Sequence, residues 1–298
     1  MKNITTNFLR IMKITSFFSS LIFYINFMFS QPANIKLWKE LDVKKENHTT
    51  LYISKAPDSI NTKIAAIILP GGSYAHLMGI KTEGFEVAKW LNNQGINAFI
   101  LEYRVKKNGY HYPSEIEDLQ AAIYFLRKNA EKYNINPDAL GVIGFSAGGH
   151  LSLMSGVFQN INYLEKYNIK PSNLKPNFIV PVYPVVSMQD SIVHKKSRKN
   201  LLGLHPDQET KNKFSMELQI SDNMPPTLLV ATKDDPKVNF HNSLVLNDAF
   251  LNKKIPNFKF LLYDNGGHGF GLNDKLGKDA AQWKYVFINW LKEINISK

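Results

Sequence analysis

The 298-residue sequence predicts an α/β fold, a mostly parallel central sheet flanked by helices in a three-layer sandwich. Three observations predict it. Short apolar runs of β type recur at residues 64–69, 97–103, 140–145, 178–183, 227–232 and 257–263. Between them lie segments with helical spacing, and a crossover that holds a helix returns the next strand parallel to the last. A composition that is 44% hydrophobic, with no Pro/Gly/Ser-rich linker and no internal repeat, suits one extended core, so residues 31–298 are read as a single domain.

Taken in order, the chain opens on an apolar, uncharged stretch at residues 14–30, with Arg10 and Lys13 before it and Gln31-Pro32-Ala33 after. That layout predicts a signal peptide over 1–30, cleaved near Ser30, and a secreted or periplasmic product with no stable membrane partner afterwards. A start at Met12 gives a more ordinary leader. The competing reading is an uncleaved anchor, for which roughly 17 residues with Ser and Asn inside are marginal.

The first predicted strand delivers Pro70-Gly71-Gly72-Ser73-Tyr74. A glycine-rich loop after a strand can present backbone N–H groups to an anion. Neither G-x-G-x-x-G nor G-x-x-x-x-G-K-[ST] follows, which disfavours a nucleotide. Residues 114–130 place Ile116, Leu119, Ile123, Leu126 and Ala130 on one helical face, and Trp283, Phe287, Trp290 and Ile294 repeat the pattern at the end.

The run Leu140 to Phe145 stops at Ser146 between Gly144 and Gly148, then becomes helical. Glycines two before and two after a serine let the chain turn sharply from strand to helix and lift the hydroxyl clear of the sheet, as a nucleophile elbow requires. The strand 227–232 runs into Asp234-Asp235-Pro236, and 257–263 ends in a loop where His268 stands between glycines. Serine is a poor nucleophile until an imidazole takes its proton, and the imidazole needs a carboxylate to fix its tautomer. On spacing alone either aspartate could serve, or the pair could simply cap a turn.

These blocks resemble the acetylxylan esterase-like and feruloyl esterase-like α/β-hydrolases. The matching segments include Pro70 to Tyr74, Leu101-Glu102-Tyr103-Arg104-Val105, Tyr112-Pro113 to Asp118, Gly144 to His150, Pro181 to Met188, Ser197 to Gly203, Asp234 to Ser243 and Gly266 to Phe270. The resemblance implies an α/β-hydrolase fold and a serine esterase with Ser146, Asp235 and His268 as catalytic residues. Its pattern D-x-x-V-P selects Asp235, with Val238 in place and Asn239 where proline is usual. It further implies an oxyanion hole from the N–H groups of Gly72, Ser73 and Ala147, with Ser73 standing where a third glycine is common. Tyr74 and His76 follow that loop and are expected to line the substrate pocket. The implied substrate is an acylated carbohydrate, with acetylated xylan the first expectation. The alternatives are larger esters or amides, or a non-catalytic carbohydrate-binding relative.

His150, one helical turn after Ser146, is expected to be structural. No Cys/His or His-x-x-x-His spacing marks a metal, so no metal and no cofactor are expected. Cysteine is absent, so disulfides contribute nothing. The net charge of +11 includes the cluster His194 to Lys199. A solvated face explains it more simply than nucleic acid, for which no motif exists. Oligomeric state is not legible.

Overall fold

The computed structural model describes residues 32–44 and 48–296. The elements that follow all lie in one compact unit that begins at Ala33. The expected leader at 1–30 lies outside the described residues.

Eight strands form one sheet: β1 (Ala33–Lys36), β2 (Thr50–Ser54), β3 (Ala65–Leu69), β4 (Asn97–Glu102), β5 (Leu140–Phe145), β6 (Ile179–Val182), β7 (Thr227–Thr232) and β8 (Phe258–Tyr263). Their order is β1-β2-β4-β3-β5-β6-β7-β8. From β4 to β8 every pairing is parallel, whereas β1 with β2 and β2 with β4 run antiparallel. All six strands expected from the sequence are present, each within a residue or so of its predicted bounds. β1 and β2 were not expected. They form the antiparallel side of the sheet, where exposed positions in β1 and half-buried, partly polar ones in β2 replace the apolar run that marks the buried interior strands.

Six helices of eight residues or more accompany the sheet among the described residues: α1 (Glu86–Asn93), α2 (Ser114–Lys128), α3 (Ala147–Val157), α4 (Lys195–Leu202), α5 (His241–Asn252) and α6 (Trp283–Glu293). Along β3, Ala65, Ile67 and Leu69 enter one apolar cluster, with Leu119 and Ile123 of α2, Leu151 of α3 and Leu246 of α5. Ala66 and Ile68 enter the other, with Val87 and Leu91 of α1 and Trp283, Phe287 and Trp290 of α6. Because alternate residues of a strand face opposite sides, a strand buried on both faces is apolar throughout, and the helices form the outer layers.

The predicted face of α2 is buried at Ile116, Leu119, Ile123 and Leu126. The helix ends before Ala130, which begins a separate short turn. Its polar residues are buried as well: Asp118 receives the Arg104 Nε at 2.9 Å, the Arg104 backbone N–H at 2.8 Å and the Trp38 indole N–H at 2.7 Å. This network ties β4, α2 and the N-terminal turn of the domain together beneath the sheet edge.

Candidate active site

At the carboxyl end of β5 the chain reverses at Ser146, whose φ of 56° and ψ of −116° lie where residues with a Cβ are rarely found. Its neighbours explain why the turn closes. A Cβ on Gly144 would stand 2.1 Å from the Gly148 carbonyl oxygen, and one on Gly148 would stand 2.1 Å from that of Leu69. Strand, turn and helix start therefore pack backbone against backbone, which requires glycine at both positions. The Ser146 N–H donates to Val182 O at 3.0 Å, fixing the turn to β6.

Two loops bring in the partners. His268 follows β8, and its Nε2 accepts from Ser146 Oγ at 2.9 Å. On the other side of the ring Nδ1–H donates to Asp235 Oδ2 at 2.6 Å. A carboxylate only accepts, so this bond fixes the imidazole tautomer and leaves Nε2 free to receive a proton. Asp235 follows β7, and its Oδ1 accepts the N–H groups of Lys237 at 2.8 Å and Val238 at 2.9 Å. The Asp235 side chain is 3% exposed and that of His268 15%. The choice between the adjacent aspartates thus falls on Asp235. Asp234 binds backbone instead, accepting from Gly267 N at 2.8 Å and Gly266 N at 3.2 Å, and so shapes the loop that carries His268.

The loop after β3 has the geometry of a donor site. Gly72, Ser73 and Tyr74 have φ of 151°, 59° and 57°, so Ser73 does adopt the left-handed conformation that glycine more often supplies. Among the described residues, the N–H groups of Gly72, Ser73 and Ala147 have no backbone or side-chain acceptor. Ala147 opens α3, where N–H groups are unpaired and the helix dipole favours negative charge. The loop is pinned from outside: Ser73 O accepts from Asn200 Nδ2 of α4 at 2.9 Å, Tyr74 O from Lys106 N at 3.0 Å, and Pro70 O from the Tyr103 hydroxyl at 2.8 Å.

Tyr74 departs from the expectation that it lines a substrate pocket. Its side chain is fully buried, and its hydroxyl meets His150 Nδ1 at 2.8 Å. The other nitrogen of His150 lies 2.9 Å from the Phe214 carbonyl, which can only accept. His150 is therefore the Nε2–H tautomer, Nδ1 accepts from Tyr74, and the pair locks the loop onto α3. Burial pushes the His150 imidazole down to about 4, against the opposite pull of the Phe214 carbonyl. His150 is structural, as its position after Ser146 implied. His76 is half-buried and borders an open groove of about 570 Å3 with Leu77, Met78, Lys107 and Asn108.

The basic cluster becomes α4, whose Ser197, Asn200 and Leu201 face inward while Lys195, Lys196 and Lys199 are exposed. Sequence reasoning gave no role to Asn200, Glu83 or Tyr183 and weighed Asp234 only as an alternative acid; Asn200 and Asp234 bond the loops of the site. Only the resemblance marked the segments that hold three of them. Among the described residues no group of three or more His, Asp or Glu is arranged to hold a metal ion.

A hydroxyl, an imidazole and a carboxylate in line beside three unpaired N–H groups can move a proton and steady an oxyanion. The BD-FAE family model matches residues 51–250. The chain belongs to the BD-FAE family. It is 30% identical over 243 residues to an acetylxylan esterase of Xylanibacter ruminicola, an alignment covering 78% of this chain and 46% of that protein. It is 33% identical over 207 residues to endo-1,4-beta-xylanase B of Butyrivibrio fibrisolvens, covering 68% of this chain and 32% of that one. The chain thus spans less than half the length of these two relatives. Among solved structures, the acetyl ester-xyloside bifunctional hydrolase of Caldicellulosiruptor lactoaceticus superposes with a TM-score of 0.81 at 30% identity, over 91% of this chain and all of that one. The eight-stranded, mostly parallel sheet with flanking helices is an α/β-hydrolase fold. The BD-FAE match includes Ser146 and Asp235 and ends before His268, whose place is set by the hydrogen bonds above.

Proposed function

We propose that this protein is a serine carboxylic-ester hydrolase that removes acetyl groups from xylan-type polysaccharide or its oligosaccharides. The observation that carries the reading is the unbroken hydrogen-bonded chain Ser146 Oγ to His268 Nε2, His268 Nδ1 to Asp235 Oδ2. The choice of acetyl and xylan is supported by relatives named for acetylxylan ester hydrolysis and for xylan cleavage.

In this mechanism Ser146 Oγ attacks the ester carbonyl carbon while His268 Nε2 takes the hydroxyl proton. The tetrahedral oxyanion lies against the N–H groups of Gly72, Ser73 and Ala147. The bond to the sugar oxygen then breaks, and His268 returns its proton to that oxygen, leaving acetyl-Ser146. Water, deprotonated by the same imidazole, attacks the acetyl carbon, and acetate leaves as Ser146 regains its proton. Asp235 steadies the imidazolium in both halves. A polymeric substrate would meet the enzyme outside the cytoplasm. The reading therefore includes export by the leader at 1–30, tested by N-terminal sequencing of protein recovered from the periplasm or medium.

The decisive test is product release by mass spectrometry from acetylated xylan, acetylated pectin and feruloylated fragments. Acetate from acetylated xylan, at the highest kcat/KM of the three, is the expected result. Ser146→Ala is expected to lose at least about a thousandfold in kcat on an activated acetyl ester, since removing a triad member costs several orders of magnitude. Release from none of the three substrates, or a Ser146→Ala variant above that level, overturns the reading.

A further inference from the structure

Glu83 is 5% exposed and sits on a π-helical turn, Lys81–Phe85, a local geometry that concentrates at functional sites. Its two carboxylate oxygens have two different partners. Oε2 accepts the Gly71 N–H at 2.7 Å, and Oε1 accepts the Tyr183 hydroxyl at 2.9 Å. The Tyr183 oxygen in turn accepts the Gly271 N–H at 3.1 Å, and its ring lies 4.7 Å from the His268 imidazole. One buried carboxylate thus connects the donor loop after β3 to the loop that carries His268.

The packing leaves room for that group and little else. A Cβ at Gly79 would stand 2.0 Å from Glu83 Oε2. A Cβ at Gly71 would stand 3.0 Å from that same oxygen and 3.0 Å from Ser146 Cβ, so the carboxylate and the nucleophile flank one backbone position. The donors also fix its chemistry. Gly71 N–H has only a proton to offer, and the Tyr183 hydroxyl, while accepting from Gly271 N–H, donates its proton to Glu83. Two converging donors match an acceptor-only, ionised carboxylate. Burial raises the Glu83 carboxyl, while the Gly71 and Tyr183 hydrogen bonds and the His268 charge draw it back.

We propose that Glu83 is a positioning residue that sets the donor loop and the His268 ring through Gly71 and Tyr183, and whose negative charge supports the imidazolium alongside Asp235. The inference rests on the esterase reading above. The groups that face His268 are Ser146 and Asp235 by hydrogen bond, the neutral Tyr183 by its ring, Glu83 by charge, and His194 from the start of α4. Lys196 and Lys237 act on His194, whose own ionisation burial and the His268 charge already disfavour. Tyr103 also senses the Glu83 charge, and burial keeps its phenol protonated.

The test is the pH dependence of kcat and KM for Glu83→Gln and Tyr183→Phe on an activated acetyl ester, with His194→Gln and Ser146→Ala as controls. Glu83→Gln should lower kcat about 10- to 100-fold with KM within about threefold, and should move the acid limb of kcat/KM to lower pH by roughly half a unit or more. Tyr183→Phe keeps the ring and the nearby charge, so it should lower kcat without moving the limb. His194→Gln should retain the wild-type limb. A folded Glu83→Gln enzyme with wild-type kcat and limb overturns the proposal, and so does a lowered kcat with an unmoved limb. If Glu83→Gln does not fold, Glu83→Asp replaces it: the shorter carboxylate should lower kcat and keep the limb, and wild-type kcat in both Glu83→Asp and Tyr183→Phe overturns the proposal. An active Ser146→Ala enzyme instead defeats the esterase reading on which the inference stands.

Discussion

Adjacent aspartates with separate tasks give the sharpest contrast among single residues. Asp235 meets the imidazole, and Asp234 meets two backbone N–H groups of the loop that bears it. Asp235→Asn keeps the shape but allows the amide to donate toward Nδ1, which favours the wrong tautomer. It is expected to lower kcat about 10³- to 10⁴-fold with little change in KM. Asp234→Ala removes only loop bonds, and steady-state kinetics should show a loss of about tenfold or less. Spacing alone presents both aspartates, the D-x-x-V-P resemblance selects Asp235, and neither says how that side chain is turned inward. The answer comes from the path of the loop after β7, where Lys237 and Val238 present their N–H groups to Asp235.

At the scale of elements, the site depends on three pieces of backbone in direct contact: the end of β3, the end of β5 and the start of α3. Gly148→Ala would put a methyl 2.1 Å from the Leu69 carbonyl oxygen, and backbone cannot move aside as a flexible side chain can. The variant is expected to lose about 3 kcal/mol or more by urea denaturation, together with most activity. Further from the site, Asp118 holds the Arg104 guanidinium of the β4–α2 connection and the Trp38 indole. Asp118→Asn leaves a buried guanidinium with a weaker partner, and about 3–5 kcal/mol of destabilisation is expected. The interior parallel strands were legible because burial on both faces demands continuous apolar residues, half-buried β8 because its residues are mostly apolar and aromatic, and the faces of α2 and α6 because one side of each packs on the sheet. β1 and β2, half exposed at the antiparallel edge, carry no such run. The buried polar residues of α2 likewise escape any reading by periodicity, because Glu117 and Asp118 answer to Arg104 and Gln120 to the backbone of Ile161 and Tyr163.

For the whole molecule, two buried groups set opposite slopes of stability against pH. Burial holds the His150 imidazole at about 4 against an ordinary 6.5, so the folded state resists its proton and stability rises with pH between those values. Burial lifts the Glu115 carboxyl to about 8 from an ordinary 4.5, with the Asp118 and Glu117 charges reinforcing it and the Arg104 charge opposing it. Neither of its oxygens has a hydrogen-bond partner. The folded state keeps that proton longer than the unfolded chain does, so Glu115 costs nothing below about 4.5 and an increasing amount as pH rises to about 8. From 4.5 to 6.5 the two slopes oppose each other, and above 6.5 only the Glu115 loss continues. Glu115→Gln should therefore be close to wild type in urea stability at pH 4.5 and more stable by about 3–5 kcal/mol at pH 8.5. A difference independent of pH would contradict this account.

The sequence by itself determined the six parallel strands, the helices that became α2, α3 and α6, the serine elbow, and the candidacy of a late histidine. Each of these is a local requirement: apolar runs where a strand is buried, glycine where backbone approaches backbone. Only the tertiary structure decided that Tyr74 turns inward to His150 instead of lining a pocket, that Asp234 binds the backbone of the His268 loop, and that Asn200 bonds the donor loop. Those outcomes depend on contacts between residues tens to more than a hundred positions apart, and the hydrogen-bonding needs that select them arise only once folding has buried the groups together.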